Sequence, residues 1–219
     1  MKDGDPDELE LTPELVLRAY GAGVFPMADG ADSDDIYWVD PRKRGILPLN
    51  GFHLSRSLRK RLLRADYRVR VDTAFDQVME ICADRPETWI NDTIFELFRQ
   101  LHRMGYAHSV EVWQDEAMIG GLYGLHLGAA FFGESMFSRQ RDGSKIALAW
   151  LVARLRKGGF TLLDTQFTTD HLESLGARAV PRAHYLDLLD RALNRRGKFY
   201  SVGTELTAPD VVQLITHRS

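Results

Sequence analysis

Two apolar stretches of this 219-residue chain carry side chains that could do chemistry. Residues 131–138 read FFGESMFS, a strand pattern with one carboxylate, Glu134, set among aromatic and apolar neighbours. Taking an unpaired carboxylate out of water is costly, so Glu134 needs either a partner or a task. About thirty residues later a second apolar run, 160–163, ends in Asp164-Thr165-Gln166. Side chains alternate along a strand, so Asp164 and Gln166 share one face and Thr165 points away. Two strands thus present Glu134, Asp164 and Gln166 from apolar surroundings, where they could carry a task. The same three residues can equally form a polar network that fixes strand register, and spacing alone leaves both readings open.

The elements that hold them follow from periodicity and turn residues. Thr12-Pro13 opens a helix running to about residue 22, after which Gly21, Gly23 and Pro26 impose a turn. A loop rich in Asp, Gly and Ala spans 29–35, with short strands near Tyr37-Trp38 and Ile46-Leu47. Residues 55–64 read as a short helix capped by Ser55, with Leu58, Leu62 and Leu63 facing the protein. Residues 67–71 alternate as a strand, and helices follow at 74–83 and 93–104, the second ended by Gly105. Strands at 109–113, 118–126 and 129–137, joined by tight turns, form a meander. A helix over 144–156 leads through Gly158-Gly159 to the Asp164 strand. Another helix spans 185–194, and the tail from Gly197 is read as adding a strand.

Composition narrows the class. With 44% hydrophobic residues the chain can bury one large core or two small ones. Its single cysteine, Cys82, excludes an internal disulfide and suits a reducing compartment. The first eight residues are acidic and lack an apolar core, unlike a secretory signal, and no apolar run is long enough for a membrane span. A cytoplasmic location is expected. The net charge of −3 conceals an uneven distribution: residues 42–70 carry ten Lys or Arg against Asp66 alone. Such a basic segment suits a polyanion partner, although a solvated helix face explains it as well.

A meander, then a helix and another strand, is the order of the acyltransferase fold used by acetyl-coenzyme A enzymes. Those enzymes bind pyrophosphate on a Q/R-x-x-G-x-G/A loop that opens the helix. The matching segment here, residues 140–145, reads QRDGSK, and Lys145 replaces the final small residue. That counts against coenzyme A, and fold analogy by itself assigns no chemistry.

Seven blocks in order make a more specific match: YGAGVFPM (20–27), WVDPRKRGILPL (38–49), TWI (88–90), AHSVEVW (107–113), GGLYG (120–124), GESMFS (133–138), and DTQ with DHLESLGA (164–166 and 170–177). With this set, from about Leu11 to Leu193, the chain resembles the leucyl/phenylalanyl-tRNA–protein transferase family. The resemblance implies an α+β fold: an acetyltransferase-like (GNAT-type) mixed sheet flanked by helices in residues 54–219, with a small N-terminal α/β domain in residues 1–53. It implies transfer of leucine or phenylalanine, and less often methionine, from aminoacyl-tRNA to the α-amino group of proteins beginning with Arg or Lys. In the family that addition marks the acceptor for N-degron degradation. The donor ester is already activated, so no cofactor and no metal are expected, and neither a zinc-spaced Cys/His cluster nor a P-loop is seen in the sequence. The partners implied are the charged tRNA and the acceptor protein, with no membrane and a monomeric chain.

The resemblance also implies roles. Asp164 and Gln166 match the reaction centre, where the Gln166 carbonyl would accept a hydrogen bond from the attacking amine while Asp164 holds the amide. Glu134 matches a pocket carboxylate for the α-ammonium of the donor amino acid. Positions matching the apolar donor pocket are Trp38, Trp89, Phe98, Leu122, Phe131, Met136, Leu148, Leu151 and Leu155. The family has tyrosine where this chain has Phe98, and Trp38 is an alternative platform for the terminal adenine. Arg42, Arg44, Arg56, Arg59, Lys60, Arg61 and Arg64 are candidates for tRNA phosphates. The chain departs from the family pattern at Asp142-Gly143, where asparagine and alanine stand in relatives, and at Thr169, where asparagine is common. His108 and His171 are read as hydrogen-bonded structural histidines. The competing functions are an acetyl-coenzyme A-dependent N-acyltransferase and a non-catalytic tRNA-binding protein.

Overall fold

Thr12 caps the first helix, α1 (Pro13–Gly21), by accepting a hydrogen bond from the Leu15 N–H at 3.2 Å. In this computed structural model, which describes residues 11–33, 35–64, 66–201 and 206–217, the chain next forms an antiparallel pair. That pair is β1 (Phe25–Ala28) with β2 (Ile36–Val39), so residues 25–28 are a strand and not part of the expected turn. The acidic segment 1–8 and part of the tail lie outside the described residues.

β3 (Lys43–Ile46), α2 (Arg56–Arg64), β4 (Arg68–Val71), α3 (Phe75–Ala83) and α4 (Asp92–Arg103) follow. The expected meander is β5 (Ala107–Gln114), β6 (Ala117–Leu127) and β7 (Ala130–Ser138), each antiparallel to the next. α5 (Gly143–Lys157) then crosses to β8 (Leu162–Gln166), which pairs parallel with β7. A short helix α6 (Asp170–Ser174), a strand β9 (Arg178–Pro181) and α7 (Arg182–Leu193) come next. The tail forms a 3-10 turn (Phe199–Ser201) and α8 (Ala208–Thr216) where a strand was expected. The cause is local: Thr207 and Asp210 make a reciprocal capping box, and Pro209 sits in the first turn.

Seven strands share one mixed sheet in the order β4-β5-β6-β7-β8-β3-β9. β3, from the N-terminal part of the chain, is antiparallel to both β8 and β9. One face is covered by α2, α5 and α8 around Leu62, Leu148, Val152 and Val211. The other is covered by α1, α3, α4 and α7 around Tyr20, Val78, Phe98 and Leu189. The fold is therefore mixed α+β, a central sheet flanked by helices. In α2, Leu58 and Leu62 are buried as expected while Leu63 is exposed, because a nine-residue helix on a sheet offers only one narrow stripe to the core. Among the described residues, no helix is long and apolar enough to cross a membrane.

Candidate active site

Asp164 is fully buried in mid-sheet, and its charge is met from three directions. Arg44 on β3 donates from Nε to both carboxylate oxygens at 3.0 Å and from Nη2 to Oδ2 at 2.8 Å. The Tyr185 hydroxyl of α7 donates to Oδ2 at 2.5 Å. The backbone N–H of Gln166 donates to Oδ1 at 2.7 Å. Arg44 also donates to the Gly23 carbonyl at 3.0 Å and lies between the rings of Phe25 and Tyr185, 4.3 and 4.7 Å from their centroids. Burial opposes the guanidinium charge, but Asp164 outweighs it, and the Arg44 pKa is raised. Burial, with Asp164 behind it, holds the Tyr185 phenol far above its ordinary range.

This geometry corrects one expectation outright. Arg44 is 1% exposed and cannot reach an RNA phosphate; it is the structural counter-ion of Asp164. Arg42, Arg56, Arg59, Lys60 and Arg64 remain exposed, and Arg61 is paired with Asp66.

β8 ends in a sharp bend. Gln166 adopts φ +54°, which L residues with large side chains seldom occupy, and the Phe167 N–H closes a three-residue turn on the Thr165 carbonyl. Gly45 of β3 lies against this bend: a Cβ there would stand 2.5 Å from the Phe167 carbonyl, so β3 must carry glycine to approach. The bend aims the Gln166 amide at β7, where Nε2 donates to Glu134 Oε1 at 2.9 Å. Asp164 therefore secures the main chain of Gln166, and Glu134, not Asp164, holds its side-chain amide. Gln166 Oε1 has no hydrogen-bond partner among the described residues and remains available as an acceptor.

Burial pushes the Glu134 carboxyl up to about 8; Tyr20 and Gln166 oppose the rise and Asp164 adds to it. Burial also raises the Tyr20 phenol well above its usual range, reinforced by the Glu134 charge. Tyr20 was legible only as part of the YGAGVFPM block, and Tyr185 carried no signal at all.

Beside Gln166 lies a cavity of about 90 Å³, lined largely by Leu122, Met136, Leu148, Leu151, Leu163 and Leu172, with Glu134, Thr165 and Gln166 on its polar side. Leu122, Met136, Leu148 and Leu151 of the expected donor pocket line it. Phe131 and Leu155 are buried in the same core layer but do not line the cavity. Phe98 lies on the opposite face of the sheet, packed edge-on to Tyr123 at 5.5 Å. Trp89 lines a separate open groove with Tyr37, and Trp38 is half-exposed on β2. Thr169 is engaged elsewhere, capping α6 by accepting from the Leu172 N–H at 3.3 Å.

His108 is structural, as expected: its Nδ1 meets Asp72 at 2.8 Å and its Nε2 meets His126 at 3.0 Å, beneath the stacked ring of Phe199. His171 differs, since its buried Nε2 has no hydrogen-bond partner among the described residues.

Comparison with known proteins adds the following. Residues 46–190 match the family described as leucyl/phenylalanyl-tRNA protein transferase, and residues 10–42 match its N-terminal domain. A leucyl/phenylalanyl-tRNA–protein transferase of Ruegeria sp. (strain TM1040) is 55% identical over 204 residues, covering 93% of this chain and 96% of the relative. One from Paramagnetospirillum magneticum (strain ATCC 700264 / AMB-1) is 60% identical over 187 residues, covering 84% and 90%. Among solved structures, FemX superposes with a TM-score of 0.50 at 14% identity, over 77% of this chain and 66% of FemX, a likeness of fold alone.

Proposed function

The chain belongs to the leucyl/phenylalanyl-tRNA–protein transferase family, and from that membership we propose that it is an aminoacyltransferase whose reaction centre is the Glu134–Gln166–Asp164 network. The donors are tRNAs charged with leucine or phenylalanine, and to a lesser degree methionine. The acceptors are proteins beginning with Arg or Lys, which the added residue marks for degradation. The observation that carries this reading is an amide with a vacant carbonyl at the mouth of an apolar cavity, its Nε2 held by buried Glu134 and its main chain by buried Asp164. The order β5-β6-β7-α5-β8, with β7 and β8 parallel, supports the GNAT-type description of residues 54–219, and the N-terminal unit proposed for 1–53 is not separate from it, since its strand β3 enters the same sheet between β8 and β9.

The chemistry is aminolysis of an ester. The neutral α-amine of the acceptor attacks the aminoacyl carbonyl, the C–N bond forms, and the bond to the ribose oxygen breaks. The amine's surplus proton finally balances the departing alkoxide. A free α-amine has a pKa of about 8, so a neutral fraction exists near pH 7 without a strong base. Gln166 Oε1 accepts a hydrogen bond from that amine and fixes its line of attack. An amide is too weak a base to take the proton outright, so Gln166 orients and does not abstract. Glu134 holds Gln166 and offers a carboxylate to the donor's α-ammonium, whose arrival favours its ionised form. Leu122, Met136, Leu148 and Leu151 receive the donor side chain. An apolar wall discriminates by about 1–3 kcal/mol per methylene, so donor preference is graded.

The test is transfer of labelled leucine from charged tRNA to two peptides that differ only in beginning with Arg or Ala. Label on the Arg peptide alone is expected. Equal labelling of both peptides overturns the acceptor rule, and no transfer to either overturns the enzymatic reading.

A further inference from the structure

A groove of about 390 Å³ opens at the end of the sheet where β8 and β9 begin and β3 ends. It is far larger than the 90 Å³ cavity beside Gln166 and falls within the roughly 300–1,000 Å³ of small-molecule sites. Pro48, Leu49, Phe160 and Leu188 give it apolar walls, while its ionisable groups are all basic. Arg156 comes from the last turn of α5, Arg178 from the start of β9 and His184 from the first turn of α7. No Asp or Glu lines the groove among the described residues.

The three basic side chains have donors to spare. Arg178 and His184 are exposed and make no side-chain hydrogen bond or ion pair among the described residues. Arg156 donates from Nη2 to the His217 carbonyl at 2.5 Å, and its Nη1 is buried with no hydrogen-bond partner among the described residues. Buried N–H groups are nearly always bonded, so this donor is suited to an acceptor from the groove. Basic groups gathered without an acid raise the local potential and favour an anion. Three donor side chains match the three oxygens of a phosphoryl group better than the two of a carboxylate. The apolar walls suit a carbon body attached to it.

We propose that this groove binds a small organic phosphate, its phosphoryl group held by Arg156, Arg178 and His184 and its carbon body packed on the apolar walls. The site is distinct from the reaction centre but adjoins it. Strand β8 runs from Leu162 in the groove to Gln166, about 13 Å away at the rise of an extended chain. Leu163 lines both the groove and the cavity beside Gln166, so a ligand in the groove touches a wall of that cavity.

The experiment is calorimetric titration of the full chain with phenyl phosphate, and with phenol and inorganic phosphate as the body and the charge alone. The proteins are the wild type, Arg178→Ala, and a control, Arg191→Ala on α7 outside the groove. Phenyl phosphate is expected to bind the wild type more tightly than either fragment. Arg178→Ala should weaken it on the order of tenfold, the scale of one lost charge-assisted hydrogen bond, and Arg191→Ala should leave it unchanged. No binding to the wild type, or equal affinity in Arg178→Ala, overturns the assignment. Phenol or inorganic phosphate binding as tightly as phenyl phosphate also overturns it, since the site would then read only one half of the ligand. So does uncharged tRNA displacing phenyl phosphate from the wild type while Arg178→Ala loses tRNA affinity, which would make the groove a nucleic-acid contact.

Discussion

Asp164 accepts the main-chain N–H of Gln166 at 2.7 Å, two residues along its own strand, and that bond ties the buried Arg44–Asp164 ion pair to the one bent residue of β8. A left-handed conformation costs an L residue about 1–3 kcal/mol, and the charge-assisted bond helps to offset it. The carboxylate thus acts on the backbone, the backbone aims the amide, and the amide meets Glu134 and the cavity.

Gln166→Ala should therefore lose activity without losing the fold. Its kcat is expected to fall on the order of 10²-fold, the scale of lost positioning. Gln166→Gly should be equally inactive yet more stable than Gln166→Ala, because glycine adopts φ +54° without a Cβ penalty. Urea midpoints beside single-turnover rates separate the two effects; equal midpoints would contradict the strained backbone.

Asp164→Asn leaves Arg44 charged and unpaired in the core. The expected loss is about 3–5 kcal/mol of stability, together with activity. Tyr185→Phe removes one hydrogen bond to the same carboxylate and should cost about 1.5–3 kcal/mol. Chemical denaturation of both variants checks the order, and Tyr185→Phe proving the more damaging would contradict the account.

Glu134 sets a pH dependence opposite to that of an ordinary salt-bridged acid. Its folded pKa of about 8 lies above the usual 4.5, so with rising pH the unfolded chain ionises first. The stability this group contributes is complete below about 4.5 and is lost between there and about 8, at roughly 1.4 kcal/mol per pH unit. Glu134→Gln should remove that slope, read as Tm against pH for the free protein. An identical slope in both proteins would show that the carboxyl is not held neutral.

Leu148→Ala should enlarge the cavity beside Gln166. The ratio of phenylalanine to leucine transfer is then expected to rise on the order of tenfold. Competition between the two charged tRNAs measures it, and an unchanged ratio would place the donor side chain elsewhere.

Phe199 stacks on His108 at a centroid distance of 3.9 Å and lies beside Phe131, seating the tail on the sheet. Phe199→Ala should cost about 3–5 kcal/mol, measured by denaturation. A loss below about 1 kcal/mol would mean the tail is not part of the cooperative core.

Much of this architecture was readable in advance. Strands β5, β6 and β7 and helix α5 declare themselves through local alternation and periodicity, which need only neighbouring residues. Glu134, Asp164 and Gln166 stood out because polar groups in apolar strands demand an explanation. Arg44 did not, since it sits among Arg42, Lys43 and other cations of a basic segment. Its burial follows from β3 entering the sheet between β8 and β9, a pairing across more than 100 residues that no local pattern encodes. Phe98 entered the expected donor pocket through the resemblance alone; it packs in the core on the other face of the sheet, against Tyr123. The tail forms a helix and not the expected strand because the Thr207–Asp210 capping box fixes a helix start there.

The position of β3 has a consequence during synthesis. Arg44 leaves the ribosome 120 residues before Asp164, and Tyr185 follows 21 residues later. At a translation rate of about 5–20 residues per second, the first member of this cluster waits on the order of ten seconds for its partners. Until then Arg44 can stay hydrated, and the strand that carries it has neither neighbour to pair with. The Arg44–Asp164–Tyr185 cluster, and the Gln166 bend it secures, is thus among the last parts of the molecule to assemble, and a nascent or prematurely terminated chain exposes its basic segment before that cluster exists.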